Sequence, residues 1–217
     1  SMHQGKWDKS AANSHEVRGH TVGIVGYGHI GSQVSVLAEA MGMRVLYYDI
    51  ISKMPMGNAM PVGSLEELLQ NSDIVTLHVP ETEETRDLID AKALKMMKPG
   101  AMLINNSRGS VVDLEALASA LKSEHIRGAA LDVYPSEPGS NDSPFECPLS
   151  GMPGVILTPH IGGSTEEAQI SIAREVSRKM VAFQERGTTT SAVNVPEVEL
   201  PRRREGQDRI LHFHHNV

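Results

Sequence analysis

The chain has 217 residues, 40% of them hydrophobic, and a formal net charge of -7, which suits one large or two small domains with buried cores. The acidic balance argues against a nucleic-acid partner, because nucleic-acid-binding domains usually present a basic face. No apolar run approaches the roughly 18 residues that a membrane-spanning helix needs. The single cysteine, Cys147, excludes an intrachain disulfide and favours a reducing compartment such as the cytoplasm. We expect Cys147 to be an ordinary loop residue, and we expect no metal site.

After a polar lead-in, residues 1–18, the first predicted strand is Thr21–Val25, which runs directly into three glycines, Gly26, Gly28 and Gly31. This G-x-G-x-x-G spacing between a strand and a helix is typical of a dinucleotide-binding βαβ unit. The first glycine allows a tight turn, the second lets a pyrophosphate approach the backbone, and the third lets the helix lie close to the strand. The pattern therefore predicts a dinucleotide site.

The helix after the glycines is predicted from apolar residues at helical spacing, and Gly42 is suited to end it. Residues 43–48 are predicted to form the second strand, which ends at Asp49. A carboxylate at this point, about 20 residues beyond the fingerprint, is suited to bind the adenosine ribose hydroxyls.

Predicted strands and helices alternate along the rest of the chain. Further strands are predicted at residues 74–79, 101–105, 128–133, 155–158 and 192–195, and loops at residues 50–61 and 135–153. Helix starts are predicted at Ser64 and Ser164, each with a capping-box glutamate three residues on, and at Asp90 and Asp113. This alternation predicts an α/β fold with a doubly wound, mostly parallel sheet of the Rossmann type and helices on both faces.

Polar residues that could do chemistry follow the predicted strands. In such a sheet the ligand lies at the carboxyl ends of the strands, where an arginine, a glutamate and a histidine fall: Arg108, Glu137 and His160. A histidine is suited to take a hydroxyl proton at neutral pH, a carboxylate to orient it, and an arginine to hold a substrate carboxylate. Each residue also has a plain structural interpretation. His160 could be a surface histidine, Glu137 a solvated carboxylate, and Arg108 a member of an ordinary ion pair. Together they form a coherent hydride-transfer site.

Five groups of residues together resemble the D-isomer-specific 2-hydroxyacid dehydrogenases. They are the Gly26–Gly31 fingerprint, Asp49, the Asn-Ser-Arg-Gly run at 106–109, Asp132 with Glu137 and Pro138, and the Thr-Pro-His-Ile-Gly-Gly run at 158–163. The Gly-Tyr-Gly-His-Ile-Gly form of the fingerprint, residues 160–169 and the Val-Asn-Val-Pro-Glu run at 193–197 resemble the members that oxidise D-3-phosphoglycerate.

The resemblance implies roles at the matching positions. His160 would be the acid/base, Glu137 its partner, and Arg108 the anchor of the substrate carboxylate. The residues that would contact the cofactor, NAD, are Gly26, Gly28, His29, Ile30, Gly31, Asp49, Asn106, Ser107, Arg108, Asp132, His160, Ile161, Gly162 and Gly163. Ile50 and Ile51 stand where an NADP enzyme often carries a basic residue, which predicts NAD rather than NADP.

The resemblance also implies a domain organisation. Residues 1–18 would be a lead-in or hinge segment, residues 19–163 the NAD-binding domain, residues 164–201 a hinge helix and strand of the substrate domain, and residues 202–217 a linker and the start of a regulatory domain of the ACT type. The family's N-terminal substrate-domain segment has no counterpart here. We therefore expect this chain to bind NAD, to oxidise 3-phosphoglycerate poorly or not at all, and to form homo-oligomers through its cofactor domain.

Two alternatives stay open at this point. The protein could be another D-2-hydroxyacid dehydrogenase, acting on glycerate, glyoxylate or lactate. It could also be an NAD-sensing transcriptional corepressor of the C-terminal-binding-protein type, which shares the fold and the Arg-Glu-His set. The Val-Asn-Val-Pro-Glu run argues against the corepressor, as does the alternating pattern of residues 210–214, which is typical of the first strand of a further domain. The arginine run at 202–204 is interpreted as a solvated charge run rather than an anion site.

Overall fold

The structure, a computed structural model, describes residues 2–7, 9–10, 14–201, 206, 208, 210 and 212. Seven strands are found in this part of the chain: β1 (Thr21–Val25), β2 (Arg44–Tyr48), β3 (Met60–Pro61), β4 (Ile74–Leu77), β5 (Ala101–Asn105), β6 (Ile126–Leu131) and β7 (Val155–Leu157). They form one sheet in the order β3-β2-β1-β4-β5-β6-β7, in which every neighbouring pair is parallel. The predicted doubly wound parallel sheet is confirmed.

The strand order reverses at β1. Strands β2 and β3 lie on one side of it, and β4 to β7 lie on the other. In open α/β sheets, such a reversal opens a crevice at the carboxyl ends of the two central strands. The register pairs Val25 of β1 with Leu77 of β4, so Gly26 and His78 follow the two strands at the same level.

The α-helices found in the described residues are α1 (His29–Ala40), α2 (Leu65–Asn71), α3 (Ala91–Met96), α4 (Leu114–Lys122) and α5 (Glu166–Arg186), and three 3-10 turns lie at Met2–Gln4, Glu83–Thr85 and Gly109–Val111. Ser64, Asp90 and Asp113 cap α2, α3 and α4 as predicted, because each side chain accepts a hydrogen bond from an N–H of the first turn. The capping box predicted at α2 is only half formed. The Glu67 carboxylate accepts from the N–H of Gly63, one residue before the cap. None of these helices has the length and apolar character that crossing a bilayer requires.

Two apolar clusters stabilise the sheet through its contacts with helices. Because successive strand residues point to opposite faces, β1 contributes Val22 and Ile24 to the cluster that contains Ala38 of α1, and Val25 to the cluster that contains residues of α2, α3 and α4. Side chains such as Leu103 of β5 are fully buried, and each such burial contributes roughly 1.5–3 kcal/mol to the hydrophobic term. Helices therefore cover both faces, as predicted.

Two predictions about strands are corrected at the sheet's edge and in β6. The sequence predicts a loop throughout residues 50–61, but Met60 and Pro61 form β3 beside β2. Proline is tolerated there because an edge strand needs no hydrogen bond from its outer N–H. Strand β6 begins at Ile126 rather than 128, because a bulge beside Ala101 accommodates the extra residue, Arg127.

Two predictions after residue 163 are also corrected. Thr165, not Ser164, caps α5, because its hydroxyl accepts the N–H of Ala168. Residues 192–195 form no strand. Instead Thr189 closes a loop, with its N–H donating to the carbonyl of Val198 at 2.9 Å and its hydroxyl to that of Pro196 at 2.7 Å. These local bonds replace strand pairing.

The chain divides into two compact units, Ser1–Pro159 and His160–Val217. The first contains the sheet with α1 to α4. The second contains α5, which ends at Gly187 in the left-handed conformation, and the loop that Thr189 closes. The predicted charge run at 202–204 lies outside the described residues, as do three of the five residues at 210–214.

Candidate functional site

The loop between β1 and α1 is open at its middle glycine. Gly26 adopts φ 90, and a Cβ added there would lie 2.5 Å from the carbonyl oxygen of His78. A Cβ at Gly31 would lie 2.1 Å from the carbonyl oxygen of Gly26. A Cβ at Gly28 would meet nothing within 4 Å. The outer glycines are thus required by the fold of the loop, while Gly28 leaves a stretch of backbone accessible to a ligand.

The N-terminus of α1 presents its backbone N–H groups at this opening. Gly28 is the N-cap residue, so no side chain caps the helix within the described residues, and the first turn carries no acidic residue. Gly28, His29 and Ile30 are exposed. Free N–H groups at the positive end of a helix dipole form a site suited to a phosphate group.

Asp49 follows β2 directly, and its carboxylate lies beside the glycine loop. One oxygen, Oδ2, accepts the N–H of Tyr27 at 2.7 Å, and the other, Oδ1, accepts the N–H of Ile51 at 2.9 Å. Because a carboxylate oxygen can accept more than one hydrogen bond, both oxygens keep acceptor capacity for a further donor. The carboxylate is thus fixed in direction and suited to accept from the hydroxyls of a ribose.

His78 supports the glycine loop from β4. Its N–H donates to the carbonyl of Val25 at 2.7 Å, and its own carbonyl lies under Gly26. Its ring Nε2 is 3.0 Å from the hydroxyl of Thr76. Burial lowers the pKa of His78 below its ordinary value, so the ring is neutral at neutral pH.

The loop after β5 is shaped by the side chain of Asn105, which is fully buried. Its Oδ1 accepts both the N–H and the hydroxyl of Ser107, at 3.0 and 2.9 Å, and its Nδ2 donates to the carbonyl of Arg108 at 2.9 Å. Ser107 is therefore buried, whereas Asn106 and Arg108 are exposed. The Arg108 guanidinium also donates to the carbonyl of Ser107 at 2.7 Å. The buried amide holds the backbone from which the arginine projects.

The loops that carry Arg108 and Glu137 are in close contact. A Cβ added at Gly109 would lie 1.9 Å from the carbonyl carbon of Tyr134, so only glycine fits between the two backbones. The N–H of Tyr134 donates to Oε1 of Glu137 at 3.1 Å, and this orients an otherwise exposed carboxylate. The tight approach brings the two loops to the same edge of the sheet.

Tyr134 and Asp132 link the loop after β6 to the end of β7. The Tyr134 hydroxyl lies 2.9 Å from the carbonyl of Thr158, and the Thr158 hydroxyl donates to Asp132. Burial raises the pKa of Tyr134, and nearby Cys147 and Asp132 add to this effect, so the phenol remains a neutral donor. Asp132 is half-buried at the carboxyl edge.

The remaining predicted site residues belong to the second unit. His160 begins it and adopts φ 52, a left-handed conformation that costs a residue with a Cβ roughly 1–2 kcal/mol. The N–H of Ser164 donates to the carbonyl of Ile161 at 2.9 Å, and the side-chain amide of Gln169 donates to the carbonyl of Gly163. A Cβ at Gly162 or Gly163 would meet nothing within 4 Å.

The first unit thus brings together, at one sheet edge, most of the predicted site. These residues are Gly26, Gly28, His29, Ile30, Gly31, Asp49, Asn106, Ser107, Arg108, Asp132 and Glu137. The pairing of His160 with Glu137 stays a prediction.

Two residues that shape this edge are not identified by the sequence patterns above. Asn105 could have been recognised as an amide at the end of a buried strand, where a polar side chain needs partners. Tyr27 lies between two glycines of the fingerprint and is buried, which no spacing rule predicts.

Comparison with known proteins identifies relatives over the whole chain. The family model described as D-isomer specific 2-hydroxyacid dehydrogenase, NAD binding domain, matches residues 1–162. The D-3-phosphoglycerate dehydrogenase of Escherichia coli (strain K12) is 53% identical over 214 residues, which are 99% of this chain and 52% of that protein. D-3-phosphoglycerate dehydrogenase 1 of Saccharomyces cerevisiae (strain ATCC 204508 / S288c) is 51% identical over 227 residues, 100% of this chain and 48% of that protein.

The chain therefore spans about half the length of the curated relatives it matches. Among solved structures, the D-lactate dehydrogenase of Lactobacillus jensenii with NAD+ superimposes with a TM-score of 0.73 at 31% sequence identity, over 84% of this chain and 58% of that one.

Proposed function

Because the chain belongs to the D-isomer-specific 2-hydroxyacid dehydrogenase family, and residues 1–162 match its NAD-binding domain, we propose that the whole protein is an NAD-dependent oxidoreductase that oxidises D-3-phosphoglycerate to 3-phosphohydroxypyruvate. This reaction is the first step of L-serine biosynthesis. The substrate is proposed from the relatives of 53% and 51% identity, both of them D-3-phosphoglycerate dehydrogenases.

The observation that carries the cofactor assignment is the Asp49 carboxylate, which is held by two backbone N–H groups beside the uncapped start of α1. The residues present fit a dinucleotide, since the open side of Gly28 leaves room for a pyrophosphate and Asp49 can accept from the adenosine ribose hydroxyls. The negative charge of the Asp49 carboxylate repels the phosphate that NADP carries on its adenosine ribose. The exposed neighbours Ile50 and Ile51 offer no cation to offset it.

In the proposed mechanism each of three side chains has one task. The imidazole of His160 accepts the proton of the substrate hydroxyl as the alcohol becomes a ketone. The carboxylate of Glu137 orients that ring and stabilises its protonated form. The guanidinium of Arg108 binds the substrate carboxylate with its planar fork and so fixes the reacting carbon. When bound, NAD supplies the acceptor for the hydride that the substrate carbon loses.

Cofactor titration tests the first half of this proposal. We expect NAD to bind to this chain at least about tenfold more tightly than NADP, because one unscreened charge repulsion of about 1.4 kcal/mol already gives that ratio. Isothermal titration calorimetry with both dinucleotides measures it. Tighter binding of NADP would contradict the interpretation of Asp49.

Turnover tests the second half. NADH formation by the whole protein is measured with D-3-phosphoglycerate and, separately, with D-glycerate and D-lactate. We expect kcat/KM to be highest for the phosphorylated substrate. Preference for an unphosphorylated acid would reassign the substrate within the family, and NAD binding without turnover of any 2-hydroxy acid would favour the corepressor alternative.

Assembly as a homo-oligomer through the cofactor domain and a cytoplasmic location also belong to this proposal. Both rest on the family and on the composition of the chain.

A further inference from the structure

Tyr27, the second residue of the glycine fingerprint, points into the protein rather than toward the site. Its side chain is only 3% exposed. Its backbone N–H donates to Asp49 Oδ2 at 2.7 Å, while its hydroxyl lies 2.7 Å from Ser35 Oγ of α1 and 3.1 Å from the N–H of Met56. One residue thus contacts the proposed ribose-binding carboxylate, the helix and the loop between β2 and β3.

The direction of these hydrogen bonds follows from counting protons. The hydroxyl of Ser35 donates to the carbonyl of Ser32 at 2.7 Å, so its oxygen is left to accept the proton of the Tyr27 hydroxyl. The Tyr27 oxygen in turn accepts the N–H of Met56. The hydrogen bonds therefore run in one direction, from the N–H of Met56 through the hydroxyls of Tyr27 and Ser35 to the carbonyl of Ser32. In such a chain each hydrogen bond strengthens its neighbours.

Tyr47 of β2 completes the arrangement. Its ring stacks on that of Tyr27 with centroids 3.7 Å apart and planes at 20°, and its hydroxyl donates to the carbonyl of Lys53 at 2.7 Å. Burial raises the pKa of Tyr47, with Tyr27 and Asp49 adding to the effect, so this phenol stays a neutral donor.

The two tyrosine hydroxyls bind the loop at residues 50–59. The first half of this loop has few other contacts that would fix its position. Ile50 and Met54 are 88% and 90% exposed, so burial does not position them. The loop nevertheless supplies the N–H of Ile51, which binds Asp49 Oδ1 at 2.9 Å. A displacement of the loop would therefore release one of the two donors that fix the carboxylate.

We propose that Tyr27 and Tyr47 are positioning residues for the adenosine ribose of NAD: their hydroxyls hold loop 50–59, and through Ile51 and the Tyr27 backbone they fix the Asp49 carboxylate in the direction that accepts the ribose hydroxyls. This inference rests on the proposed cofactor function. Neither tyrosine side chain contacts the ligand in this proposal; each acts through Asp49.

The test compares Tyr27→Phe and Tyr47→Phe with the unmodified chain, using NAD and a deoxy analogue of NAD that lacks both hydroxyls of the adenosine ribose. Each substitution removes a hydroxyl and keeps the stacked ring. We expect the Kd for NAD to rise about three- to tenfold, the range that one net hydrogen bond supports. For the deoxy analogue we expect less than a twofold change, because the contact that the tyrosines position is absent from it. Calorimetric titration measures both.

The matched control is Tyr48→Phe, since the Tyr48 side chain packs against the other apolar cluster and, within the described residues, its hydroxyl makes no hydrogen bond. This variant should bind both ligands as the unmodified chain does. A general structural role for the tyrosines would weaken NAD and the deoxy analogue equally, and that result overturns the proposal, as does unchanged NAD affinity in both variants.

Failure of this inference can be told apart from failure of the proposed function. If the unmodified chain does not bind NAD, the proposed function is wrong and this inference falls with it. If the unmodified chain binds NAD and the tyrosine variants bind it equally well, only this inference is wrong. Should Tyr27→Phe not fold, as thermal unfolding would show, Tyr47→Phe decides the question by the same two titrations.

Discussion

Two aspartates, Asp73 at the amino ends of the parallel strands and Asp49 at their carboxyl ends, show how the same carboxylate group takes two different roles. Both accept a backbone N–H at an end of β1: Asp73 from Thr21, where the strand begins, and Asp49 from Tyr27, just beyond its end, each at 2.7 Å. At the amino edge, Asp73 is also paired with Lys98 at 2.9 Å and lies 3.4 Å from His20 Nδ1. At the carboxyl edge, Asp49 has only backbone donors among the described residues, and keeps acceptor capacity.

The difference agrees with the proposed function, in which the Asp73 carboxylate contributes to stability and the Asp49 carboxylate stays available to the proposed cofactor. Burial alone would raise the pKa of Asp73, but hydrogen bonds from Lys98 and Thr21, together with the Lys98 charge, lower it below its ordinary value. This carboxylate is therefore satisfied within the fold. Variants at the carboxyl edge should change ligand binding or turnover, and variants at the amino edge should change stability alone.

The largest effect is expected from His160→Ala in the whole protein. Loss of the proposed acid/base should lower kcat for 3-phosphoglycerate oxidation by about 10²–10⁴-fold. The Kd for NAD should rise by no more than about tenfold, the effect of losing one cofactor contact. Steady-state assay of NADH formation and calorimetry measure the two quantities. His125→Ala is the control, because that histidine precedes β6 at the amino edge, where its ring contacts the carbonyl of Leu94 at 3.1 Å. Retained turnover in His160→Ala would refute its role.

An intermediate effect is expected from Gly28→Ala. The added methyl group meets nothing within 4 Å in the protein, so the free energy of unfolding should change little, but it would occupy the space proposed for the pyrophosphate. We expect the Kd for NAD to rise about ten- to a hundredfold, as the loss of one hydrogen bond to a charged group would produce.

Gly31→Ala is the comparison for that variant, because its methyl group would lie 2.1 Å from the carbonyl oxygen of Gly26. It should lower the unfolding temperature as well as NAD affinity. Equal NAD affinity in Gly28→Ala and the unmodified chain would show that the pyrophosphate lies elsewhere.

The smallest effect is expected from Asp73→Asn, which should lower the free energy of unfolding at neutral pH by about 1 kcal/mol and leave NAD affinity unchanged. Because the pKa of Asp73 is lowered on folding, its contribution is present above the unfolded pKa of about 3.9 and is lost as the pH falls through the lower folded value. The difference between the two proteins should therefore shrink below about pH 4.

Urea unfolding at several pH values checks this expectation. The exposed pair of Glu83 and Arg86, 3.9 Å apart, supplies the control, since Glu83→Gln should change stability little at any pH. A stability difference between Asp73→Asn and the unmodified chain that does not vary with pH would contradict the assignment.

The sheet and most of its helices could be predicted from the sequence because the information is local. The period of apolar residues indicates each element, and a serine or aspartate marks three of the helix starts. Predictions failed where two local signals competed or where a long-range partner was needed. Ser164 and Thr165 can both cap a helix by their chemistry, so only the path of the chain selects Thr165. The apolar residues at 192–195 have no neighbouring strand, and Thr189 closes a loop there instead.

For the candidate site, the sequence by itself determined which residues are available: the glycine spacing, an acid after the second strand, and Arg108, Glu137 and His160 after later ones. These follow from the rule that parallel strands present their carboxyl ends at one edge. Only the tertiary structure decided how they are held. The buried amide of Asn105 holds its own loop through Ser107 and Arg108. The stacked pair of Tyr27 and Tyr47 instead acts through groups on other elements, such as Ser35 of α1 and the loop residue Met56. A buried polar group must form its hydrogen bonds with the groups that surround it in the protein. Those surroundings exist only once the fold has formed.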